Sequence, residues 1–183
     1  TNKSIKFTHI MILQYFQKKE NKDKVIADRL YLEIIDITKS IIYENKNILI
    51  NNFNTSFELT TIILFFVFYI SKKNTNKRQV SQELMNIFIK DLDHSFNLKG
   101  VSDMKIGKHV KHYIKKFYFR IKILDKIFTY QEFDELSVFL ENLKIKNFLK
   151  NSSLIDLSNY LNQKFNLLIK NSQNLQDFNN FSL

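Results

Sequence analysis

The chain has no cysteine, no proline, no tryptophan and only two glycines in 183 residues. Each absence closes off a class of protein. Without cysteine there is no disulfide framework, no thiolate metal site and no cysteine nucleophile, and a reducing compartment is compatible with the composition. Tight hairpins, Rossmann and P-loop phosphate cradles and bulged barrels use glycine wherever φ is positive or backbone must approach a ligand, so two glycines leave little room for them. What remains is a helical protein. With 44% hydrophobic residues, the chain has the length of one domain and enough apolar material for its core.

Acidic side chains are scarce relative to basic ones. Lys and Arg total 28 against 18 Asp and Glu, for a net charge of +10 and a pI near 9.6, yet only Arg29, Arg78 and Arg120 are arginines. A surplus of this sign suits an anionic partner such as RNA or a lipid surface. A Lys-, Asn- and Ile-heavy, Pro-free composition is also what an AT-rich genome tends to produce, so the location of the charge matters more than its total. Long apolar runs are missing too. The most apolar stretch, Leu59 to Ile70, falls short of the roughly 20 residues a helix needs to span a bilayer and reads as a buried core helix. The opening run Ile5 to Phe16 is interrupted by His9 and Gln14 and has no small-residue cleavage site before KKENKDK, so it lacks the form of a secretory signal.

Helical spacing fills almost every window, and strand alternation is hard to find. From about Asp23 to Tyr43, Ile26, Leu30, Ile34, Ile37 and Ile41 recur every three or four residues, an amphipathic stripe. Thr55-Ser56-Phe57-Glu58 has the S/T-x-x-E form of a capping box and predicts a helix start just before the apolar run. The polar Ser71 to Gln79 reads as a surface loop. Leu84, Ile87, Phe88, Leu92 and Phe96 then mark one face, and Ile106, Val110, Tyr113, Phe117, Ile121 and Leu124 the next. Between these two, Gly100 can take the left-handed conformation that ends the first helix, and Ser102 or Asp103 can cap the second. Glu132 to Leu149 and Ser153 to Ile169 keep the period, while the Asn-rich tail 171–183 is expected to fray. The expectation is an all-α, single-domain bundle of about six to eight helices over 1–183, built around a central apolar helix.

Candidates for chemistry are weak. His109 and His112 stand at i and i+3, and Asp91-x-x-His94 has the spacing of one half of a di-iron site, but such a site needs a second pair and two further carboxylates, and the central helix offers none. Exposed histidines on a basic face are the simpler reading. Asp91 and Asp93 diverge by about 200 degrees on a helix, so they cannot serve one substrate as an acid/base dyad; pairing with cations or capping a neighbour suits them better. Charge location is more informative. Lys99 to Lys126 holds nine cations against Asp103 and Asp125, which is +7 of the net +10. With the apolar stripe taken up by core positions, these cations, Arg120 included, are expected to point outward as a basic face, with His112 and Tyr118 among them.

The segment Ser81 to Arg120 resembles the ubiquinol-cytochrome c chaperone family, the assembly factors for cytochrome b. The family's pattern is an aromatic, D-x-D, a Gly-Val-x-Asp turn, a Lys with further basic residues, and Phe-Tyr-Gly-Arg. Here it is met without a gap by Phe88, Asp91 and Asp93, Gly100, Val101 and Asp103, Lys108 and Lys111, and Phe117, Tyr118 and Arg120. Looser likeness, through Leu30-Tyr31, Ile42-Tyr43 and Ser56-Phe57-Glu58-Leu59, extends it over about 30–145. Phe119 replaces the family's glycine, Asn97 stands where a basic residue is usual, and the family's prolines are missing.

The resemblance implies an all-helical, non-enzymatic chaperone that binds newly made cytochrome b and promotes assembly of ubiquinol-cytochrome c reductase, respiratory complex III. It implies no catalytic residue, metal, cofactor or small-molecule substrate. Implied partners are cytochrome b and, as in mitochondrial relatives, a small partner subunit and the ribosome, with an anionic membrane surface within reach of the basic face. The implied location is cytoplasmic, peripheral at the bacterial inner-membrane face, or the mitochondrial matrix. Asp91, Asp93, Asp103, Lys108, Lys111, Tyr118 and Arg120 are the candidates for client or partner contact, and Phe88, Gly100, Val101 and Phe117 for holding the helix pair. A basic helical module that binds RNA or ribosomes without a respiratory client is the alternative.

Overall fold

A computed structural model describes residues 2–44, 52–72, 78–132, 134–143 and 153–173. Among these are six helices and no strand: α1 (Asn2–Glu44), α2 (Phe53–Ser71), α3 (Arg78–Leu98), α4 (Asp103–Tyr130), α5 (Asp134–Asn142) and α6 (Ser153–Gln173). The all-α expectation and its lower helix count hold. Residues 73–77 of the expected loop, 144–149 of the fifth window and 174–183 of the tail lie outside the described residues.

Three boundaries differ from the periodicity reading. Helix α1 does not begin near Asp23 but runs unbroken from Asn2, because the Lys- and Glu-rich stretch holds good helix formers and neither Gly nor Pro to stop it. Helix α6 continues to Gln173, past the start of the expected frayed tail. The expected capping box at Thr55 is not one. Asn52 caps α2 instead, its backbone extended (φ −143, ψ 169) and its Oδ1 accepting from the Thr55 backbone N–H at 3.0 Å. Asn is among the best N-cap residues, and its position three residues earlier frees Glu58 for another contact.

Helix α2 is apolar all round, so it can be satisfied only by neighbours on every side. It packs against α1, α3, α4 and α6, and Leu59 and Ile62 to Val67 are all buried. At 19 residues it is long and apolar enough to cross a membrane, but most of that length is enclosed by the bundle. Two of its few polar groups are satisfied locally: Thr38 of α1 donates to the Ile34 carbonyl at 2.8 Å and meets the Thr60 hydroxyl at 3.3 Å, and Ser71 donates to the Val67 carbonyl at 2.6 Å. The far end of α2 is closed by aromatic rings, with Phe66 against Phe165 of α6 at 4.8 Å and Phe128 of α4 against Phe165 at 4.0 Å.

Helices α3 and α4 form a hairpin. The Gly100 N–H donates to the Asn97 carbonyl at 2.8 Å and the Val101 N–H to the Phe96 carbonyl at 3.1 Å, the paired bonds of a Schellman motif. Gly100 supplies the left-handed residue it requires, at φ +74. Val101 adds the accompanying apolar contact by packing on the core that holds Phe96. Ser102 occupies the N-cap position of α4 in extended conformation without a side-chain bond, and Asp103 sits in the first turn, where its charge favours the helix dipole.

The two glycines therefore have opposite expected responses. Gly100→Ala forces an L side chain into left-handed backbone and is expected to lower stability by about 1 kcal/mol or more. Gly107→Ala, in ordinary helix with open space around the added carbon, is expected to raise it by about 0.5 kcal/mol or more. Urea midpoints of the two variants check this.

Candidate client- and partner-binding surface

Helix α4 has two sharply different sides. Ile106, Val110 and Phe117 are buried, with Tyr113 half-buried beside them. On the opposite side Lys108, Lys111, Lys115, Tyr118 and Lys122 are all exposed. Their spacing of three and four residues places them in one stripe about 21 Å long. Tyr118 is 59% exposed and Phe119 beside it 64%, so the ring that stands in place of the family's glycine projects outward and crowds nothing.

The inward side is held by rings. Phe88 of α3 lies 5.2 Å from Phe117, and Tyr113 packs edge-on against Phe57 of α2 at 4.7 Å and meets Phe53 at 5.3 Å and Phe96 at 5.2 Å. The Tyr113 hydroxyl donates to Asn54 Oδ1 at 3.0 Å. Burial, and secondarily the Glu58 charge, pushes its phenol up. This aromatic layer joins α2, α3 and α4, with Phe88 and Phe117 at its deeper end.

Arg120 corrects the expectation that every cation of α4 points outward. Its side chain is 12% exposed and turned inward, where Nε and Nη2 grip the Glu58 carboxylate, itself 8% exposed. The Nη2 to Oε1 bond is 2.5 Å, and Nη1 donates to the Lys116 carbonyl at 3.2 Å. Burial pushes the Glu58 carboxyl up, while Arg120 and, less strongly, Lys116 pull it back. Two-pronged contact is what a guanidinium offers and an ammonium does not, which suits the single arginine of α4 to this place. Lys116 is half-buried with its ammonium 4.6 Å from the Tyr113 ring, and Lys72 pairs with Asp125 at 3.3 Å.

The D-x-D pair divides. Asp91 Oδ2 accepts a 2.6 Å bond from the Tyr31 hydroxyl of α1, whose phenol is held well above its usual range by burial and by that carboxylate. Asp93 is exposed. Among the described residues no cluster of three or more His, Asp or Glu could hold a metal, and His109 and His112 are exposed, with rings against Phe96 and Tyr113. Lys108, Lys111 and Tyr118 share the outward stripe; Asp103 lies at its N-terminal end. Arg120 and Asp91 face other helices. Sequence reasoning assigns Glu58 to a capping box and passes over Asn52 as the cap of α2, Tyr31 as the partner of Asp91 and Glu58 as the partner of Arg120. The available signal for Glu58 was a lone carboxylate at the mouth of an apolar run.

A family model described as ubiquinol-cytochrome C chaperone matches residues 49–174, more than half of the chain, and takes in α2 to α6. The chain belongs to that family. The matched span begins and ends later than the region of resemblance at about 30–145. The crystal structure of the Cbp3 homolog from Brucella abortus is similar with a TM-score of 0.72 and 22% identity, covering 87% of this chain and 88% of that one; at that identity the likeness shows a shared fold. No match was found among curated proteins. The family pattern's positions thus fall into a structural set and an outward set: Phe88, Val101, Phe117 and Arg120 are packed, Asp91 is exposed but bonded to Tyr31, and Gly100 forms the turn, whereas Asp93, Asp103, Lys108, Lys111 and Tyr118 face outward.

Two stability measurements test this division. Arg120→Ala is expected to cost about 3 to 5 kcal/mol at neutral pH, because it strands a buried carboxylate. Losing the cation raises the folded-state pKa of Glu58 further above its unfolded value, so the deficit shrinks as pH falls and is smallest below the ordinary glutamate range, about 4.3. Denaturation across pH reads this out. Asp91→Ala is expected to cost about 1 to 3 kcal/mol by leaving the Tyr31 hydroxyl unpaired, whereas Asp93→Ala leaves the urea midpoint unchanged.

Proposed function

We propose that this protein is a non-enzymatic assembly chaperone that binds newly made cytochrome b and promotes its assembly into ubiquinol-cytochrome c reductase, respiratory complex III. The family match over residues 49–174 carries this reading. The working surface is the outward side of α4 with Asp103 at its N-terminal end, joined by the exposed Asp93 of α3. Lysines with exposed Tyr118 and Phe119 among them offer both long-range attraction and apolar contact, a combination suited to holding a client that is apolar in the bilayer and charged at its edges. Arg120 and Asp91 serve this surface indirectly, by fixing α4 and α3 in place. A small partner subunit and the ribosome are further partners in this reading. The location is peripheral, at the cytoplasmic face of a bacterial inner membrane or the corresponding matrix face of a mitochondrion.

The lysine stripe supports a second reading, RNA or ribosome binding without a respiratory client. Salt separates the two, since contact carried by phosphates weakens steeply with ionic strength and an apolar client contact persists. Deleting the gene is expected to lower assembled cytochrome b, measured by haem spectra of membranes; unchanged levels would sink the chaperone reading. Complementation with Lys108→Glu, Lys111→Glu and Tyr118→Ala combined is expected to restore less than half of the assembled cytochrome b. The purified variant should keep the urea midpoint of the parent, because all three positions are exposed.

A further inference from the structure

The end of the α3–α4 hairpin is an exposed apolar point within a basic collar. Met104 is 97% exposed and Leu98 76%, the two highest values for large hydrophobic residues among the described residues. They flank a four-residue connection in which Lys99, Gly100 and Ser102 are also exposed. A Cβ added at Gly100 would meet nothing within 4 Å, so the turn is open to solvent at its tip. From Leu98 to Lys111 the cations are Lys99, Lys105, Lys108 and Lys111, and the single acid is Asp103. Lys99 places its ammonium 3.9 Å from the Phe53 ring and braces the base of the turn. Lys105 and Lys108 are exposed, the first next to Met104 in sequence and the second about one helical turn beyond it.

The shape selects among occupants. A peptide or amphipathic helix docks into a groove, whereas this is a projection with no wall for a partner to fill. Apolar side chains on a projection, with lysines set just behind them, match the layering of a bilayer surface: acyl chains inside, anionic headgroups outside. The Schellman motif keeps the point stiff, so insertion orders little that is not already ordered.

We propose that the α3–α4 turn inserts Leu98 and Met104 into the interfacial layer of an anionic membrane while Lys105 and Lys108 contact headgroup phosphates. The inference goes beyond the client reading and does not depend on it, since the test uses the purified protein with lipid alone. The chain has no tryptophan, so Met104→Trp creates a single reporter. With vesicles of phosphatidylcholine and phosphatidylglycerol, its emission is expected to shift to the blue and to be quenched by brominated acyl chains. Vesicles of phosphatidylcholine alone are expected to produce a much smaller change. In the parent background, Met104→Asp is expected to weaken sedimentation with the anionic vesicles by roughly tenfold, the scale of one buried Met side chain. Three results overturn the proposal: no binding to anionic vesicles at low salt, binding without a blue shift at position 104, and a shift produced by a structured RNA but not by vesicles.

Discussion

The ion pair between Glu58 and Arg120 decides which way α4 faces. Taking both groups out of water costs about what their two-pronged contact returns, so net stability is the lesser part of its role. Orientation is the greater. Successive residues of a helix are turned by about 100 degrees, and with Arg120 aimed at α2 the side chains of Tyr113 and Phe117 come to the same side. Lys111, Lys115, Tyr118 and Lys122 are thereby sent away from the bundle. A basic helix of this composition could roll to bury Tyr118 and Phe119 in place of Tyr113 and Phe117; a carboxylate stranded in the apolar mouth of α2 makes that alternative costly.

Around this pair the packing is mostly aromatic. Phe53, Phe57, Phe88, Phe96, Tyr113 and Phe117 meet at stacked, tilted and edge-on angles with centroids 4.7 to 6.2 Å apart. Flat rings tolerate several such angles at similar energy, and a layer of them alone would leave the helices free to shift against each other. Tyr31 to Asp91 and Tyr113 to Asn54 remove that freedom by adding directional bonds, the first from α1 to α3 and the second from α4 to α2. Apolar area supplies the cohesion and a few polar contacts supply the setting.

Local signals were legible in the sequence, and contacts between distant residues were not. The stripes of α1, α3 and α4 and the left-handed glycine between two helices are properties of short windows, and they emerged where the period put them. S/T-x-x-E is also a short-window pattern and points Glu58 to a cap, whereas its partner lies 62 residues away. Charge density has no facing and so groups Arg120 with the outward cations; its long side chain starts beside the apolar stripe and bends into it. Asp91 and Asp93 look alike as D-x-D, and only the position of Tyr31, 60 residues distant, tells them apart. Recognition of the family succeeded for the complementary reason: it needs the order of residues and not their contacts.

The Schellman turn between α3 and α4 has a mechanical consequence. A flexible connection would absorb a pull at its tip by rearranging, and the helices behind would feel little. Here the Val101 N–H is tied back to Phe96 and Gly100 to Asn97, so the connection has no slack to give. A load applied at Leu98 or Met104 passes directly into two rigid rods, and the longer of them ends its lever arm near Arg120. Whatever grips the tip therefore acts on the seating of α4 against α2, some four turns away.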